Sequence, residues 1–390
     1  MNKIKKVGVI GAGTMGAGIA GQVAKAGVEV WLLDLPSEGE NVNSLAAKGL
    51  ERLKDPDMPG LMSVEAEELI NLGNTRDHFH ELEDCDWIAE AVVERLDIKQ
   101  ALYRRLSDTC KESTIITSNT STIPIKFLTE GMPTEFCERF AITHFFNPVR
   151  YMRLLELVRG ELTRDDVINT LEVFSEINLG KGVVSCSDTP GFLANRVGVF
   201  AIQCALHKAF EYKLSPTEAD AFFGRPLGLP KTGVFGLYDL IGIDLMADVV
   251  KSLVSILPEN DAFHKYSSPI KFMTDMIANG QTGNKNEKGF YTQVGDERKV
   301  IDLSNGNYVA HGRLKTPLLE EAEKTGISFI INDKSPYGLY IWNVIAETLC
   351  YAASLVPEVT DDLTQIDDAM KLGYNWVKGP FELLDEIGIE

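Results

Sequence analysis

Short apolar runs alternate with segments of helical periodicity along the first half of the chain. The predicted strands are Val7–Ile10, Val28–Asp34, Trp87–Val93, Thr114–Ser118, Phe140–His144, Leu154–Val158 and Gly182–Cys186. The predicted helices are a segment that ends near Ala26, then Ile98–Asp108, Ile123–Leu128 and Asp165–Asn178. Strands and helices that alternate in this way predict an α/β fold with a mostly parallel, doubly wound sheet over residues 1–188.

Residues 36–83 interrupt this alternation with a polar, helical pattern. Two amphipathic segments, Asn43–Leu53 and Ser63–Ile70, flank the break Asp55-Pro-Asp-Met-Pro-Gly60. Ser63 and the acidic residues after it are typical of a helix start. The pattern therefore predicts a helical hairpin inserted into the sheet domain.

After residue 188 the apolar residues recur with the period of an α-helix, and the helical unit that they predict occurs twice. Gly233–Asp244 matches Gly379–Glu390 without a gap, and upstream Gly191–Arg196 matches Gly338–Asn343 and Ala219–Ala221 matches Asp367–Ala369. We expect a duplicated all-α domain with a first copy over 189–295, a loop-rich connection over 296–335 and a second copy over 336–390. The first copy continues into a further helix after Asp244, so we expect the native chain to continue past Glu390.

A glycine-rich turn follows the first predicted strand. Gly11-x-Gly13-x-x-Gly16 opens a helix, and the next strand ends on the carboxylate Asp34. Glycines in this context let a pyrophosphate approach a helix N-terminus, and the carboxylate binds the adenosine ribose hydroxyls. No Arg or Lys follows Asp34 before Lys48, so the sequence favours NAD over NADP.

Charge and cysteine usage exclude several other functions. The formal net charge of −19 argues against general nucleic-acid binding. No apolar run approaches the roughly 18 residues that a membrane-spanning helix needs, and we expect a cytoplasmic protein because the N-terminus lacks a signal-peptide pattern. The six cysteines show no CxxC spacing, so neither a disulfide framework nor a metal site is expected.

One histidine and one glutamate are the best candidates for acid–base chemistry. His144 ends a predicted strand at the edge where open α/β sheets bind ligands. Glu156 interrupts the apolar run Leu154–Val158, and a buried carboxylate there needs a partner. A His–Glu pair suits proton transfer. The alternative is a core histidine with satisfied hydrogen bonds beside a structural ion.

Two further groups of polar residues are placed near the same edge. Ser118-Asn-Thr-Ser121 ends the preceding strand, although such a run is also typical of a turn or a helix cap. Asn195 opens the first long helix after the domain boundary, where it is equally consistent with an ordinary polar residue of a first helical turn.

The order and spacing of these motifs resemble the L-3-hydroxyacyl-CoA dehydrogenase family. The matching segments are Gly11–Gly16, Glu90–Glu94 with Lys99, Ser118–Ser121, His144–Pro148, Asp188–Arg196 and Gly379–Leu383. The resemblance is nearest to multifunctional fatty-acid β-oxidation proteins, in which the helical unit is duplicated and an enoyl-CoA hydratase module is often fused. It implies a Rossmann-like sheet domain followed by the duplicated helical domain.

The resemblance also implies an activity, NAD-dependent oxidation of (S)-3-hydroxyacyl-CoA to 3-oxoacyl-CoA in fatty-acid β-oxidation. His144 would be the general base, Glu156 its partner, and Ser121 and Asn195 would hydrogen-bond the substrate oxygens. The glycine-rich turn and the resemblance together imply NAD contacts at Gly11, Gly13, Thr14, Met15, Gly16, Asp34, Ala91, Val92, Val93, Glu94, Lys99, Ser121 and Asn147.

The resemblance assigns the CoA tail and the partners as well. The 36–83 hairpin would form a wall for the tail, with Lys48, Arg52 and Lys54 as candidates for its phosphates. Expected partners are the acyl-CoA substrate and a fused or associated enoyl-CoA hydratase and thiolase. The second helical copy would replace the partner subunit of a homodimer.

Two other functions use the same architecture. A β-hydroxyacid dehydrogenase of the 6-phosphogluconate type would place a lysine on the interdomain helix, but Asn195 and Arg196 occupy that helix start and Lys208 lies far along it. A catalytically silent, crystallin-like NAD-binding protein would not need the His144–Glu156 pair.

Overall fold

A computed structural model of the chain describes residues 4–61 and 63–388. These residues form two units, and the boundary lies between Phe192 and Leu193. Each unit has its own secondary structure, an α/β sheet in the first and mainly helices in the second. This confirms the predicted fold class.

Eight strands form the sheet of the first unit, in the spatial order β3-β2-β1-β4-β5-β6-β7-β8. Their bounds are β1 Lys6–Ile10, β2 Glu29–Asp34, β3 Ile70–Asn74, β4 Trp87–Glu90, β5 Ile115–Ser118, β6 Phe140–Phe145, β7 Leu154–Arg159 and β8 Gly182–Cys186. Strands β1 to β6 pair in parallel, whereas β7 runs antiparallel to β6 and parallel to β8. The carboxyl ends of β1 to β6 therefore share one edge.

Seven α-helices accompany the described part of this sheet. Their bounds are α1 Thr14–Lys25, α2 Ser44–Arg52, α3 Val64–Glu68, α4 Leu96–Thr109, α5 Ile125–Leu128, α6 Thr134–Cys137 and α7 Asp165–Val173. A π-helical turn, Phe174–Asn178, prolongs α7. The central strands are buried on both faces, as expected for parallel strands covered by helices.

The prediction of a purely helical insertion over 36–83 is wrong for residues 70–74. Helices α2 and α3 form where expected, and the Ser63 hydroxyl caps α3. The chain then forms β3, which pairs with β2 from Val30 opposite Ile70 to Asp34 opposite Asn74. Pairing with an existing strand satisfies backbone groups that a longer helix would leave exposed at the sheet edge.

The second unit contains ten α-helices and a small antiparallel sheet within its described residues. The helices are α8 Ala194–Glu211, α9 Pro216–Phe222, α10 Phe235–Ile241, α11 Ile243–Ile256, α12 Lys271–Ala278, α13 Pro317–Thr325, α14 Ile327–Ile330, α15 Pro336–Ser354, α16 Leu363–Tyr374 and α17 Pro380–Ile387. The strands are β9 Tyr291–Val294, β10 Glu297–Ile301 and β11 Tyr308–Ala310.

The prediction of a loop-rich connection over 296–335 is therefore wrong. This segment contains β10, β11, α13 and α14, because short polar strands satisfy one another's backbone groups in a meander without a strong apolar pattern. The boundaries at 188, 295 and 335 remain predictions. Glu390, where the second copy was expected to break off, lies outside the described residues.

The internal repeat is visible as the same capping contact in both copies. The Asp220 carboxylate in α9 accepts hydrogen bonds from the N–H groups of Phe235 (2.7 Å) and Gly236 (2.9 Å). Asp367 in α16 accepts from Phe381 (2.8 Å) and Glu382 (3.2 Å). Asp220 thus corresponds to Asp367, so the predicted match of residues 219–221 to 367–369 is wrong by one residue.

These capping carboxylates are tightly enclosed. A methyl group on Gly233 would lie 2.3 Å from the Asp220 Cβ, and one on Gly379 would lie 2.2 Å from the Asp367 Cα. Burial raises the pKa of Asp220 to about 7 and also raises that of Asp367.

The two copies pack through their long helices α8 and α15. Arg196, almost completely buried, donates to Asp261, to Glu358 (2.9 Å) and to the Tyr351 hydroxyl (3.3 Å). The rings of Phe200 and Tyr351 stack with centroids 4.1 Å apart. Apolar burial and a neutralised cation thus join the copies into one unit.

A glycine of α8 packs directly against a tyrosine ring of the second copy. A Cβ on Gly198 would lie 2.1 Å from the Tyr374 Cζ. We expect Gly198→Ala to lower the free energy of unfolding of the second unit by about 1–3 kcal/mol because the core there has no space for a methyl group. Urea denaturation measures this effect. Gly312→Ala is the control, since a Cβ there meets nothing within 4 Å, and equal midpoints for the two variants would contradict the prediction.

Candidate active site

The glycine-rich turn between β1 and α1 lies where the order of the sheet reverses, between β1 and β4. Gly11 has φ +99°, and a Cβ on it would lie 2.4 Å from the Ala91 carbonyl oxygen. A Cβ on Gly16 would lie 1.7 Å from the Gly11 carbonyl oxygen, whereas one on Gly13 would meet nothing within 4 Å. The turn is therefore packed on its protein side and open at Gly13, the N-cap of α1. This fits a pyrophosphate at the helix N-terminus.

Asp34 ends β2 beside this turn. Its carboxylate accepts hydrogen bonds from the N–H of Ala12 (2.6 Å) and of Leu35 (2.6 Å), which holds one oxygen against the turn. The Arg52 guanidinium donates to the Ala12 carbonyl (3.0 Å). The sequence predicts no cation near Asp34, because no Arg or Lys follows it before Lys48. In the structure α2 folds back onto the glycine-rich turn and places Arg52 at that turn.

A buried polar cluster supports the loop after β4, and it consists of Glu90, Lys99, Tyr103 and Ser118. Glu90 has no solvent exposure. Its carboxylate accepts from Lys99 (2.7 Å), Tyr103 (2.5 Å) and Ser118 (2.6 Å), as well as from the Val92 N–H (2.8 Å). These partners come from α4, β5 and the loop, so the cluster joins three elements beneath the sheet edge.

Lys99 also contacts Glu94, the last residue of the predicted cofactor loop, at 3.2 Å. Although burial opposes it, Lys99 and the hydroxyls of Thr120 and Thr122 hold the pKa of Glu94 below its usual range. Lys99 itself is only 1% exposed. The structure thus places Lys99 underneath the loop, whereas Val93 and Glu94 are exposed on it.

His144 and Glu156 form the predicted pair. They lie directly opposite each other in the antiparallel pairing of β6 and β7, and His144 Nδ1 is 2.6 Å from Glu156 Oε2. Glu156 has no solvent exposure and His144 is 6% exposed. A carboxylate can only accept, so Nδ1 carries a proton and Nε2 is the ring nitrogen that can take one up.

Aromatic rings surround the imidazole of His144. The ring centroids of Phe146 and Phe192 lie 4.7 and 5.6 Å from that of His144. The Asn119 side chain accepts from the Phe145 N–H (2.9 Å) and so ties the end of β5 to the end of β6. Such walls exclude water from a base and strengthen its electrostatic interactions.

The remaining predicted site residues occupy different surroundings. Ser121 is half-buried in the turn after β5, Asn147 is exposed in the turn after β6, and Thr14 and Met15 begin α1 at the exposed side of the glycine-rich turn. Asn195 is half-buried in the first turn of α8, in the second unit. Lys54 forms ion pairs with Glu51 (3.0 Å) and Glu67 (2.6 Å).

Lys181 is a buried cation that sequence analysis missed. Its ammonium donates to the carbonyls of Val149 and Met152 in the loop after His144. Burial and, to a smaller extent, the charge of Lys25 together lower the pKa of Lys181 to about 8. A lysine just before a strand carries no sequence signal of burial, because only the folded loop supplies its acceptors.

Metal ligation and membrane insertion have no structural support in the described part of the chain. Residues 4–61 and 63–388 contain no group of three or more His, Cys, Asp or Glu side chains that could hold a metal ion. Among the same residues, no helix has the length and apolar character needed to cross a membrane.

Two family models match the chain. Residues 6–189 match the model described as 3-hydroxyacyl-CoA dehydrogenase, NAD binding domain, and residues 191–293 match that of the C-terminal domain. A Rickettsia felis protein described as a fatty acid oxidation complex trifunctional enzyme is 42% identical over 390 residues, which cover 98% of this chain and 53% of the relative. The chain thus spans about half the length of such curated relatives.

Shorter relatives and solved structures give the same result. A 3-hydroxyacyl-CoA dehydrogenase of Deinococcus radiodurans is 40% identical over 76% of this chain and 85% of its own length. The crystal structure of (S)-3-hydroxybutyryl-CoA dehydrogenase from Ralstonia eutropha has a TM-score of 0.58 at 31% identity and covers 75% of this chain and all of that one. The Escherichia coli 3-hydroxybutyryl-CoA dehydrogenase shares the fold, with a TM-score of 0.74 at 23% identity over 99% of this chain and 92% of that chain.

The buried cluster around Glu90 makes a testable contribution to stability. Lys99→Met leaves the Glu90 carboxylate buried without its cation, and we expect a loss of about 3–5 kcal/mol in the unfolding of the first unit. Lys111→Met is the control, because it removes an exposed ion pair with Asp86 (3.1 Å) and should cost at most about 1 kcal/mol. Chemical denaturation compares the two, and similar losses would contradict a structural role for Lys99.

Proposed function

This chain belongs to the 3-hydroxyacyl-CoA dehydrogenase family, and on that premise we propose that it oxidises (S)-3-hydroxyacyl-CoA to 3-oxoacyl-CoA with NAD. The observation that carries the proposal is the 2.6 Å pair of His144 and Glu156. It lies on the sheet whose glycine-rich turn fits a dinucleotide, so one unit supplies both a cofactor site and a base.

His144 acts as the general base. With Nδ1–H held by Glu156, Nε2 accepts the proton of the substrate hydroxyl, and the imidazolium that results is stabilised by the buried carboxylate. Ser121 hydrogen-bonds the hydroxyl or the thioester oxygen, and the same role for Asn195, which belongs to the second unit, stays a prediction from the resemblance. In the reverse direction the same imidazolium returns the proton to the 3-oxo group.

The cofactor site is formed by the turn and the strand ends around it. Gly11 to Gly16 hold the pyrophosphate, Asp34 binds the adenosine ribose, and the loop from Ala91 to Glu94 and Asn147 line the site beyond. The residues of this site would hold NAD, which would supply the acceptor for the hydride from C3 of the substrate. Lys99 positions this loop through Glu90 (2.7 Å) and Glu94 (3.2 Å), and its role as an NAD contact stays a prediction.

We assign the CoA phosphates to Arg52 in place of Lys54. Both glutamates near Lys54 neutralise its ammonium, whereas no carboxylate lies within 4 Å of the Arg52 guanidinium among the described residues. An unpaired guanidinium is well suited to phosphate. Lys48, one turn before Arg52 on α2, is the second candidate.

The names of the relatives support a metabolic role for the reaction. Those named as trifunctional enzymes of fatty acid oxidation support a role in β-oxidation, with a hydratase supplying the 3-hydroxyacyl-CoA and a thiolase consuming the 3-oxoacyl-CoA. The second helical copy takes the place of a partner subunit, as the packing of α8 on α15 within one chain suggests.

The role of the pair is tested with acetoacetyl-CoA and NADH, followed by NADH absorbance. We expect His144→Ala and Glu156→Gln to lower kcat by roughly 10²–10⁴-fold, with little change in the Kd for NADH. His80→Ala removes an exposed imidazole and should leave kcat unchanged. A His144 variant with the wild-type rate would refute the proposed base, and a wild-type protein that binds NADH without turnover would favour the catalytically silent alternative.

The phosphate assignment is tested by comparing Arg52→Ala with Lys54→Ala. We expect Arg52→Ala to raise the KM for acetoacetyl-CoA about tenfold, the value of one charge-assisted contact, with kcat maintained. The N-acetylcysteamine thioester lacks the nucleotide, so its kcat/KM should not change. Lys54→Ala should have less than about a twofold effect. An Arg52→Ala variant that raises only the KM for NADH would overturn the assignment to CoA.

A further inference from the structure

A cavity in the second unit is lined by residues that are distant in sequence from those of the proposed reaction. It has a volume of about 490 Å³, which lies within the range of small-molecule sites. Helices α9 and α10, strand β10 and the segment before α13 form its walls. Nothing in the proposed dehydrogenase reaction uses this cavity.

Three of the cations that line the cavity form no ion pair within the described part of the chain, although the charge of Arg298 opposes the burial that raises the pKa of Asp239 to about 6. Among the described residues, no carboxylate lies within 4 Å of Arg225, Lys231 or Arg298, although all three line the cavity. The Arg298 guanidinium is held over the Tyr291 ring, 4.4 Å from its centroid, so stacking positions it without consuming its N–H donors. In a chain with a net charge of −19, cations grouped at one cavity provide local positive charge against a globally negative field.

The acidic residues in the walls do not account for these cations. Asp220 is occupied by two backbone N–H groups and by the Tyr291 hydroxyl (2.8 Å). Asp239 accepts from the N–H groups of Phe290 (2.8 Å) and Tyr291 (2.7 Å). Glu323 contacts Arg313 at 3.8 Å. Each of these carboxylates therefore already has its own partners.

The second copy provides an internal comparison. There the lysine of the corresponding turn, Lys378, forms an ion pair with Glu386 at 2.7 Å. The position of Glu386 is taken by Leu240 in the first copy, by the gapless match of residues 233–244 to 379–390. Leu240 is 61% exposed and lines the cavity. By the same match Lys378 corresponds to Thr232, the neighbour of Lys231. The first copy thus lacks both members of this ion pair and has an exposed apolar side chain in place of the glutamate.

We propose that this cavity binds a small organic phosphate. Arg225, Lys231 and Arg298 bind its phosphate groups, because guanidinium and ammonium groups form strong charge-assisted hydrogen bonds with phosphate. Leu240, together with Leu314 and Leu319, which also line the cavity, covers its apolar or ring portion. The site is separate from the nucleotide site at Gly11–Gly16, so it does not depend on the proposed dehydrogenase reaction.

Isothermal titration of the full chain tests the proposal, with NADH present at saturation so that the dinucleotide site is filled. The probes are AMP, inorganic pyrophosphate and hexanoate. We expect AMP to bind, and the triple variant Arg225→Gln, Lys231→Gln, Arg298→Gln to bind it at least about tenfold more weakly. Leu240→Glu, which restores the residue of the second copy, should weaken AMP binding as well. Lys271→Gln removes an exposed lysine elsewhere in the unit and should change nothing.

Other outcomes overturn the proposal. Equal affinity of the wild type and the triple variant would show that AMP binds elsewhere. Binding of hexanoate alone would identify the cavity as a carboxylate site, and pyrophosphate binding as tightly as AMP would show that the apolar wall has no role. No heat from any probe at millimolar concentration, with circular dichroism confirming that every variant is folded, would also refute it. None of these results depends on turnover of acetoacetyl-CoA. The phosphate site can therefore be refuted without refuting the dehydrogenase activity, and the reverse also holds.

Discussion

Two carboxylates without solvent exposure, Glu90 and Glu156, determine how polar groups are arranged at the edge of the sheet. A buried charge is stable only when other groups replace the water it has lost. Glu156 has the imidazole of His144, and Glu90 has an ammonium, two hydroxyls and a backbone N–H. Because these partners come from different strands and helices, the two carboxylates also fix the positions of those elements.

The same constraint makes the geometry depend on strand register. His144 faces Glu156 because β6 and β7 pair in one particular register. A shift by one residue would move one of the two side chains to the other face of the sheet. Leu155 and Leu157 beside Glu156 and Phe145 beside His144 are buried and resist that shift, so ordinary core packing maintains the 2.6 Å contact.

Much of this could be predicted from the sequence because it follows from local rules. The glycine spacing before α1 predicts a dinucleotide-binding turn, and Glu156, a lone carboxylate in an apolar strand, predicts a buried partner. The fold class and the first helical copy follow from periodicity in the same way. The one-residue error in the repeat arose because matching letters align Asp368 with Asp220, whereas the capping hydrogen bonds identify Asp367.

What could not be predicted depends on contacts between distant segments. Strand β3 has only five residues and follows an acidic helix, and its pairing with β2 exists only after the insertion has folded back. Arg52 reaches the glycine-rich turn for the same reason. For Lys99 the sequence motif was sufficient to identify the residue. Only the structure places its side chain beneath the loop from Ala91 to Glu94.

The contact between Gly198 and Tyr374 constrains how the duplicated unit can evolve. Copies of a gene segment normally accumulate changes independently, but here a ring from one copy fills the space that a missing side chain leaves in the other. A larger residue at 198 is tolerable only after 374 has become smaller, so the permitted order of substitutions is fixed. We therefore expect substitutions at positions that contact each other between the two copies to be correlated. Substitutions elsewhere in the repeat are expected to be independent.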